Sequence, residues 1–194
     1  MPNPVVFISY VIMTTFTPGP NNIMCMSNAS QHGIKKSIVF NFGILAGFFL
    51  ILILCNLFSV SLYNVIPSIK PYMTAIGAIY ILWLAWKTFR HKPVSEDSEK
   101  KSTVSFISGF LLQFVNPKVL LFGITVVSSF IVPYYKSGVV LTGFAVLIAF
   151  TGFTSTCCWS LFGSVFQKCF SKYHRIINSV MALLLVYCAV SLFI

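Results

Sequence analysis

Lys118 lies inside the apolar run 104–132, and no carboxylate shares a run with it: Glu96, Asp97 and Glu99, the only acids, fall in one polar stretch upstream. A charge at mid-bilayer costs about 2.5–3.5 kcal/mol on insertion scales. Such an ammonium must face helix carbonyls, water or a bound anion, unless it snorkels to the outer surface along its own stem. The anion that fits best is the carboxylate of an amino acid, because a site for such a cargo can do without fixed acids. Four amides stand nearby in type and spacing. Gln113 and Asn116 precede Lys118, while Asn21 and Asn22 follow Thr17-Pro18-Gly19-Pro20 in the first apolar run. Amide side chains both donate and accept, so the set suits a zwitterion.

The elements that must position these groups are helices that break. Proline removes a backbone donor and clashes with the preceding turn. Thr17-Pro18-Gly19-Pro20-Asn21-Asn22 and Gln113-Phe114-Val115-Asn116-Pro117-Lys118 each fall near the middle of an apolar run. Backbone groups freed there need partners or a water-filled cavity. Two ordinary proline kinks satisfied by neighbouring helices would also fit. Matched breaks in two halves of one chain favour a polar site at the midplane.

About twenty apolar residues span a bilayer as helix, and six runs qualify: Pro4 to Asn28, Ser37 to Tyr63, Tyr72 to Trp86, Val104 to Val132, Gly138 to Phe166 and Ile176 to Ile194. The expected fold class is an all-α integral membrane protein. Lys35, Lys36, Lys87, Arg90, Lys92, Lys100, Lys101, Lys168, Lys172 and Arg175 fall in the odd-numbered gaps, and only Lys70 and Lys136 in the even-numbered ones. By the positive-inside rule the odd gaps are cytoplasmic and both termini lie outside, in the periplasm. The polar stretch His91 to Thr103 reads as a cytoplasmic linker between residues 1–90 and 104–194. Each half holds three spans, so equivalent helices run in opposite directions: two inverted three-helix repeats with broken first and fourth helices.

The 194 residues are 57% apolar and 8% charged, too few charges for the polar shell of a soluble domain. A net charge of +10 raises nucleic acid as a partner, but the basic residues sit in short gaps between apolar runs, where lipid headgroups lie. No nucleic-acid partner, metal or cofactor is expected; the partners are the bilayer and a small amino-acid cargo, and a homo-oligomer is compatible with the sequence. Met1 to Val6 carry no Lys or Arg, so the first run is expected to be a retained helix rather than a signal peptide. Cys25, Cys55, Cys157, Cys158, Cys169 and Cys188 show no CxxC spacing and read as packing residues. A membrane thiol-disulfide enzyme would need such a pair, and a channel would conduct without saturation. His32, His91 and His174 all fall in loops, so no residue within a span stands out as a proton carrier.

Gly43 and Gly47 form a small-xxx-small pair suited to close helix packing, with room beside the site as a second use. Thr151, Thr154, Ser155 and Thr156 either bond back to their own helix or line a pore. Tyr80, Trp83 and Trp86 descend the third run toward its basic end, where Trp86 reads as an interfacial anchor.

Thr17-Pro18-Gly19-Pro20-Asn21 resembles the first-helix signature of the lysine-exporter and homoserine/threonine-exporter (LysE/RhtB) family. Asn116-Pro117-Lys118 is similar to its second signature, and Gly77 to Lys87 to its third helix; the resemblance extends to Leu185-Val186-Tyr187-Cys188-Ala189-Val190. It implies a secondary transporter, not an enzyme, that exports amino acids by alternating access and proton antiport. Cysteine and O-acetylserine are the implied cargo, with homoserine or threonine the alternative. It also implies that Pro18, Gly19, Pro20, Asn21, Asn116, Pro117 and Lys118 line or shape the transport site. Many family members carry an acid where this chain has Phe48, which argues against a strongly cationic cargo and suits a neutral one.

Overall fold

The computed structural model describes residues 4–90, 105–166 and 173–190, and throughout them the regular structure is helical. Helix α1 (Pro4–Phe16) and α2 (Pro20–His32) are the two parts of the first broken run. Helix α3 (Ile34–Arg90) is two arms joined at a kink at Phe58, whose φ/ψ of −111°/17° is not helical. Helix α4 (Phe106–Val115) meets α5 (Pro117–Thr125) at Asn116, and α5 continues through a π-helical turn, Val126–Ile131. Helices α6 (Gly138–Val165) and α7 (His174–Val190) complete the order.

The breaks fall where the prolines dictate. Pro20 and Pro117 each occupy the first turn of a new helix, where a missing N–H costs nothing. The α4–α5 pair bends by 66° at Asn116. At the start of α4, Ser105 and Ser108 form a reciprocal capping box.

One expectation is corrected. The gap between the second and third predicted spans, around residues 64–71, is helical in backbone, and the regular path breaks earlier, at Phe58. Phe58 has no proline or glycine beside it, so no local residue type marked the kink. The predicted linker 91–103, together with Lys168, Cys169 and Lys172, lies outside the described residues.

Side chains sort as they would in lipid. Val5, Ile8, Val139, Leu147, Phe150, Val165 and Leu183 are exposed on the outer faces, an arrangement that water would not tolerate over so wide a surface. Two described helices, Ile34–Phe58 and Gly138–Val165, are each long and apolar enough to cross a membrane, and the bent pair Phe106–Ile131 counts as a third. Helix α2 is the exception to apolar composition. It carries Asn21, Asn22, Ser27, Asn28, Ser30, Gln31 and His32, yet nine of its thirteen residues are buried. A polar half-helix can be held at that depth only when protein, not lipid, surrounds it.

Two separate apolar cores result. One joins Ile23, Ile44, Ile81, Leu112, Met181 and Leu185 from α2, α3, α4 and α7. The other joins Phe7, Val11, Phe48, Leu52, Phe122, Val126 and Ile148 from α1, α3, α5 and α6. Ile44 and Phe48, one turn apart on α3, belong to different cores, and the polar residues of the two breaks lie in the layer between them.

Candidate functional site: two helix breaks joined by amides and a lysine

Pro18 and Pro20 have no N–H to give, and Gly19 and Pro20 start a new helix, so the carbonyls from Thr14 to Pro18 lose their helical partners. Each one is met by a side chain. Thr17 Oγ1 donates to Thr14 O (3.0 Å). Thr15 O accepts from Asn22 Nδ2 (2.8 Å) and from Ser155 Oγ of α6 (2.9 Å). Trp159 Nε1 donates to Phe16 O (3.3 Å). Thr17 O accepts from Asn22 Nδ2 (2.9 Å) and Lys118 Nζ (3.2 Å), and Pro18 O from Lys118 Nζ (3.4 Å). The first break is thereby held open from three directions: from α2, from α6 and from the second break.

Lys118 Nζ also donates to Thr17 Oγ1 (2.9 Å), so its three protons meet three acceptors of the first break. This is the helix-carbonyl arrangement, not the snorkelling one. The Lys118 side chain also packs closely over Gly19: a methyl there would lie 3.0 Å from Nζ and 3.1 Å from Cδ, so the lysine would have to shift by a few tenths of an ångström to admit one.

Asn21 is the hub of the amides. Its Nδ2 donates to Gln113 Oε1 (2.8 Å), and its Oδ1 accepts from Gln113 Nε2 (3.2 Å) and Asn116 Nδ2 (2.9 Å). Gln113 is fully buried and donates as well to Gly109 O (3.0 Å). Asn116 caps α5 by accepting from the Lys118 backbone N–H (3.2 Å). The N-termini of α2 and α5 therefore converge on one point, and each brings the partial positive charge of its first turn.

A cavity of about 50 Å³ opens at this point, lined on the polar side by Thr14, Thr15, Asn21, Asn22, Asn116, Lys118 and Thr156, and by the backbone at Gly19 and Pro20. Ile44, Phe48, Val119 and Phe122 form its apolar wall. Phe48 is buried against Gly152, where a methyl would lie 3.0 Å from its ring, so this side of the cavity carries no charge. Lys118 lines a second, larger cavity of about 360 Å³, bounded also by Tyr10, Thr14, Leu121, Thr125, Tyr187 and Cys188.

All ten residues singled out from the sequence meet at the breaks: Thr17, Pro18, Gly19, Pro20, Asn21, Asn22, Gln113, Asn116, Pro117 and Lys118. Their tasks differ. Asn22 serves backbone carbonyls and Gln113 serves Asn21, while Asn21, Asn22, Asn116 and Lys118 all face the cavity. Ser155 and Trp159 were missed as partners of the first break. Thr151, Thr154 and Thr156 bond back to carbonyls of α6, although Thr156 also faces the cavity. Gly43 and Gly47 press α3 onto α4: a methyl at Gly43 would collide with Phe106 O, and one at Gly47 would lie 2.8 Å from Gln113 Cγ. Packing and site support are here the same function. At the basic end of α3, Lys87 lies 5.2 Å from the Trp83 ring and Arg90 stacks 4.2 Å from Trp86, the pairing expected of an interfacial anchor. Cys25, Cys55, Cys157 and Cys158 are free thiols.

Comparison with known proteins adds an independent line. The family model described as LysE type translocator matches residues 12–194. The cysteine/O-acetylserine efflux protein of Escherichia coli (strain K12) is 41% identical over 187 residues, covering 96% of this chain and 95% of that protein. The protein of the same description from Shigella flexneri gives the same figures. No solved structure matches the chain.

Proposed function

The chain belongs to the LysE type translocator family, and from that premise we propose that it exports small neutral amino acids, cysteine and O-acetylserine foremost, by alternating access about the two breaks. The relatives named above are efflux proteins for those two compounds. In this reading the chain is a multi-pass protein of the bacterial inner membrane. It has six spans in two inverted repeats, 1–90 and 104–194, and both termini face the periplasm.

The observation that carries the proposal is the meeting of Lys118 with the N-termini of α2 and α5 at a cavity whose wall, among the described residues, holds no acid. A cargo carboxylate would take the ammonium and the first-turn N–H groups, a favoured site for an anion. The bonds from Lys118 to Thr17 O and Pro18 O already have a charged donor; a carboxylate brings a full opposite charge, and on that Coulomb attraction it competes for the ammonium. Once released, those carbonyls become acceptors for the cargo's own ammonium. A zwitterion is thereby recognised at both ends by one lysine and one unwound segment. The uncharged wall at Phe48, Val119 and Phe122 then favours a small neutral side chain.

The test is loss of labelled cysteine and O-acetylserine from preloaded cells, with and without expression, against threonine and lysine as controls. Faster loss of the first two supports the proposal. Acceleration of threonine or lysine alone would move the cargo within the family, and no acceleration at all, with protein in the membrane, would sink it.

A further inference from the structure

A second polar cluster, apart from the breaks, joins α2, α3 and α6. Asn41 Nδ2 donates to Ser160 Oγ at 2.9 Å. Ser37 and Ser160 hydroxyls are 3.3 Å apart, and each lies 3.4 Å from the carbonyl of Cys25. Asn41 Nδ2 also reaches Cys157 Sγ at 3.8 Å. Ser37, Asn41 and Ser160 are fully buried.

Its placement is what gives it meaning. On α3, Ser37, Asn41, Ile44 and Phe48 follow one another at spacings of four, three and four, the repeat of a single helix face. On α6, Gly152, Thr156 and Ser160 do the same. Ile44, Phe48, Gly152 and Thr156 line the cavity at the breaks. The cluster therefore continues the cavity's own walls by one turn, about 6 Å, toward the helix ends beside Lys35 and Lys36. Opposite, beyond Lys118, lies the cavity of about 360 Å³. On the basic side the helices are pressed together: a methyl at Gly163 of α6 would collide with the Met26 carbonyl of α2, and one at Gly109 of α4 with the Phe40 carbonyl of α3.

We infer that Ser37, Asn41 and Ser160 form the cytoplasmic gate of the export route, the first polar groups that a zwitterionic amino acid meets, and that the structure is the state with this gate shut and the far side open. The inference rests on the proposed exporter function and its orientation. Every cluster bond between the two halves ends on Ser160 or Cys157 of α6, so movement of α6 away from α2 and α3 breaks all of them together. Most are 3.3 Å or longer, and water or a cargo's charged groups replace such bonds readily.

Cys157 reports the gate without a new side chain in the cluster. In a protein keeping Cys157 as its one thiol, a membrane-impermeant maleimide is added to inverted vesicles, with and without O-acetylserine, and exchange of labelled O-acetylserine is measured in parallel. A shut gate that opens during exchange raises labelling roughly tenfold, as expected when a minor state becomes common. Gly163→Ala, which wedges α6 from α2, raises it without cargo. A protein keeping Cys25 alone, beside the Ser160 hydroxyl, should respond alike. Exchange with labelling unchanged by cargo and by Gly163→Ala in both proteins overturns the gate and leaves the exporter standing. Absence of exchange in the unaltered protein overturns the exporter reading, and the gate with it.

Discussion

Replacing Lys118 by methionine separates its structural task from the cargo task proposed for it. The ammonium donates to Thr17 O, Thr17 Oγ1 and Pro18 O. After the change Thr17 O keeps Asn22 Nδ2, whereas Pro18 O loses the ammonium. An acceptor left without a partner costs about 1–3 kcal/mol. Removing a charge from mid-bilayer returns about 2.5–3.5 kcal/mol on insertion scales. The two terms oppose one another, so the variant should insert and keep a melting temperature close to that of the unaltered protein. No such compensation exists for the cargo. A hydrogen bond to a charged group contributes about 1.5–3 kcal/mol, which at about 1.4 kcal/mol per tenfold means roughly 10- to 150-fold weaker binding. Initial efflux rates across a range of internal O-acetylserine, normalised to protein in the membrane, measure this directly. Unchanged half-saturation and rate in Lys118→Met would refute the reasoning, since the ammonium would then be only a strap across the first break.

Other substitutions test neighbouring parts of the account. Asn21→Leu leaves the buried amides of Gln113 and Asn116 without their shared partner; at about 1–3 kcal/mol per orphaned group, the melting temperature in detergent should fall by several degrees and efflux should be lost. Gly43→Ala drives a methyl into the Phe106 carbonyl, a backbone atom that cannot step aside. Overpacking of this kind costs about 1–3 kcal/mol, seen as a lower denaturation midpoint, while a control Gly143→Ala inside α6, with open space around it, should leave the midpoint unchanged or raise it slightly. Phe48→Asp places a carboxylate on the uncharged wall of the cavity; it should slow O-acetylserine efflux and admit lysine, read by labelled lysine loss from the same cells.

The breaks were legible because proline has one physical meaning inside a helix. Pro18, Pro20 and Pro117 marked the unwound points, and the amides beside them marked the polar layer. The partners of that layer were not legible. Asn21 meets Gln113 and Asn116 across more than ninety positions, and nothing in the spelling of either segment says which amide faces which. The same holds for Ser155 and Trp159, two hydrogen-bonding residues in an apolar helix until the fold brings the first break against them. Ser37, Asn41 and Ser160 are illegible for the same reason, even though Ser37/Asn41 and Thr156/Ser160 each stand four residues apart. The polarity of Pro20–His32 was a stronger signal still, since a half-span rich in Asn and Ser must be wrapped by protein. The kink at Phe58 has no proline or glycine beside it to mark it.

The most direct test of the central claim is counterflow in proteoliposomes holding the purified protein. Vesicles loaded with unlabelled O-acetylserine are diluted into a trace of the labelled compound. The account predicts transient, saturable accumulation of label above equilibrium, strongly reduced in Lys118→Met and absent when the internal amino acid is lysine. Equilibration without overshoot, or no uptake at all, would contradict it.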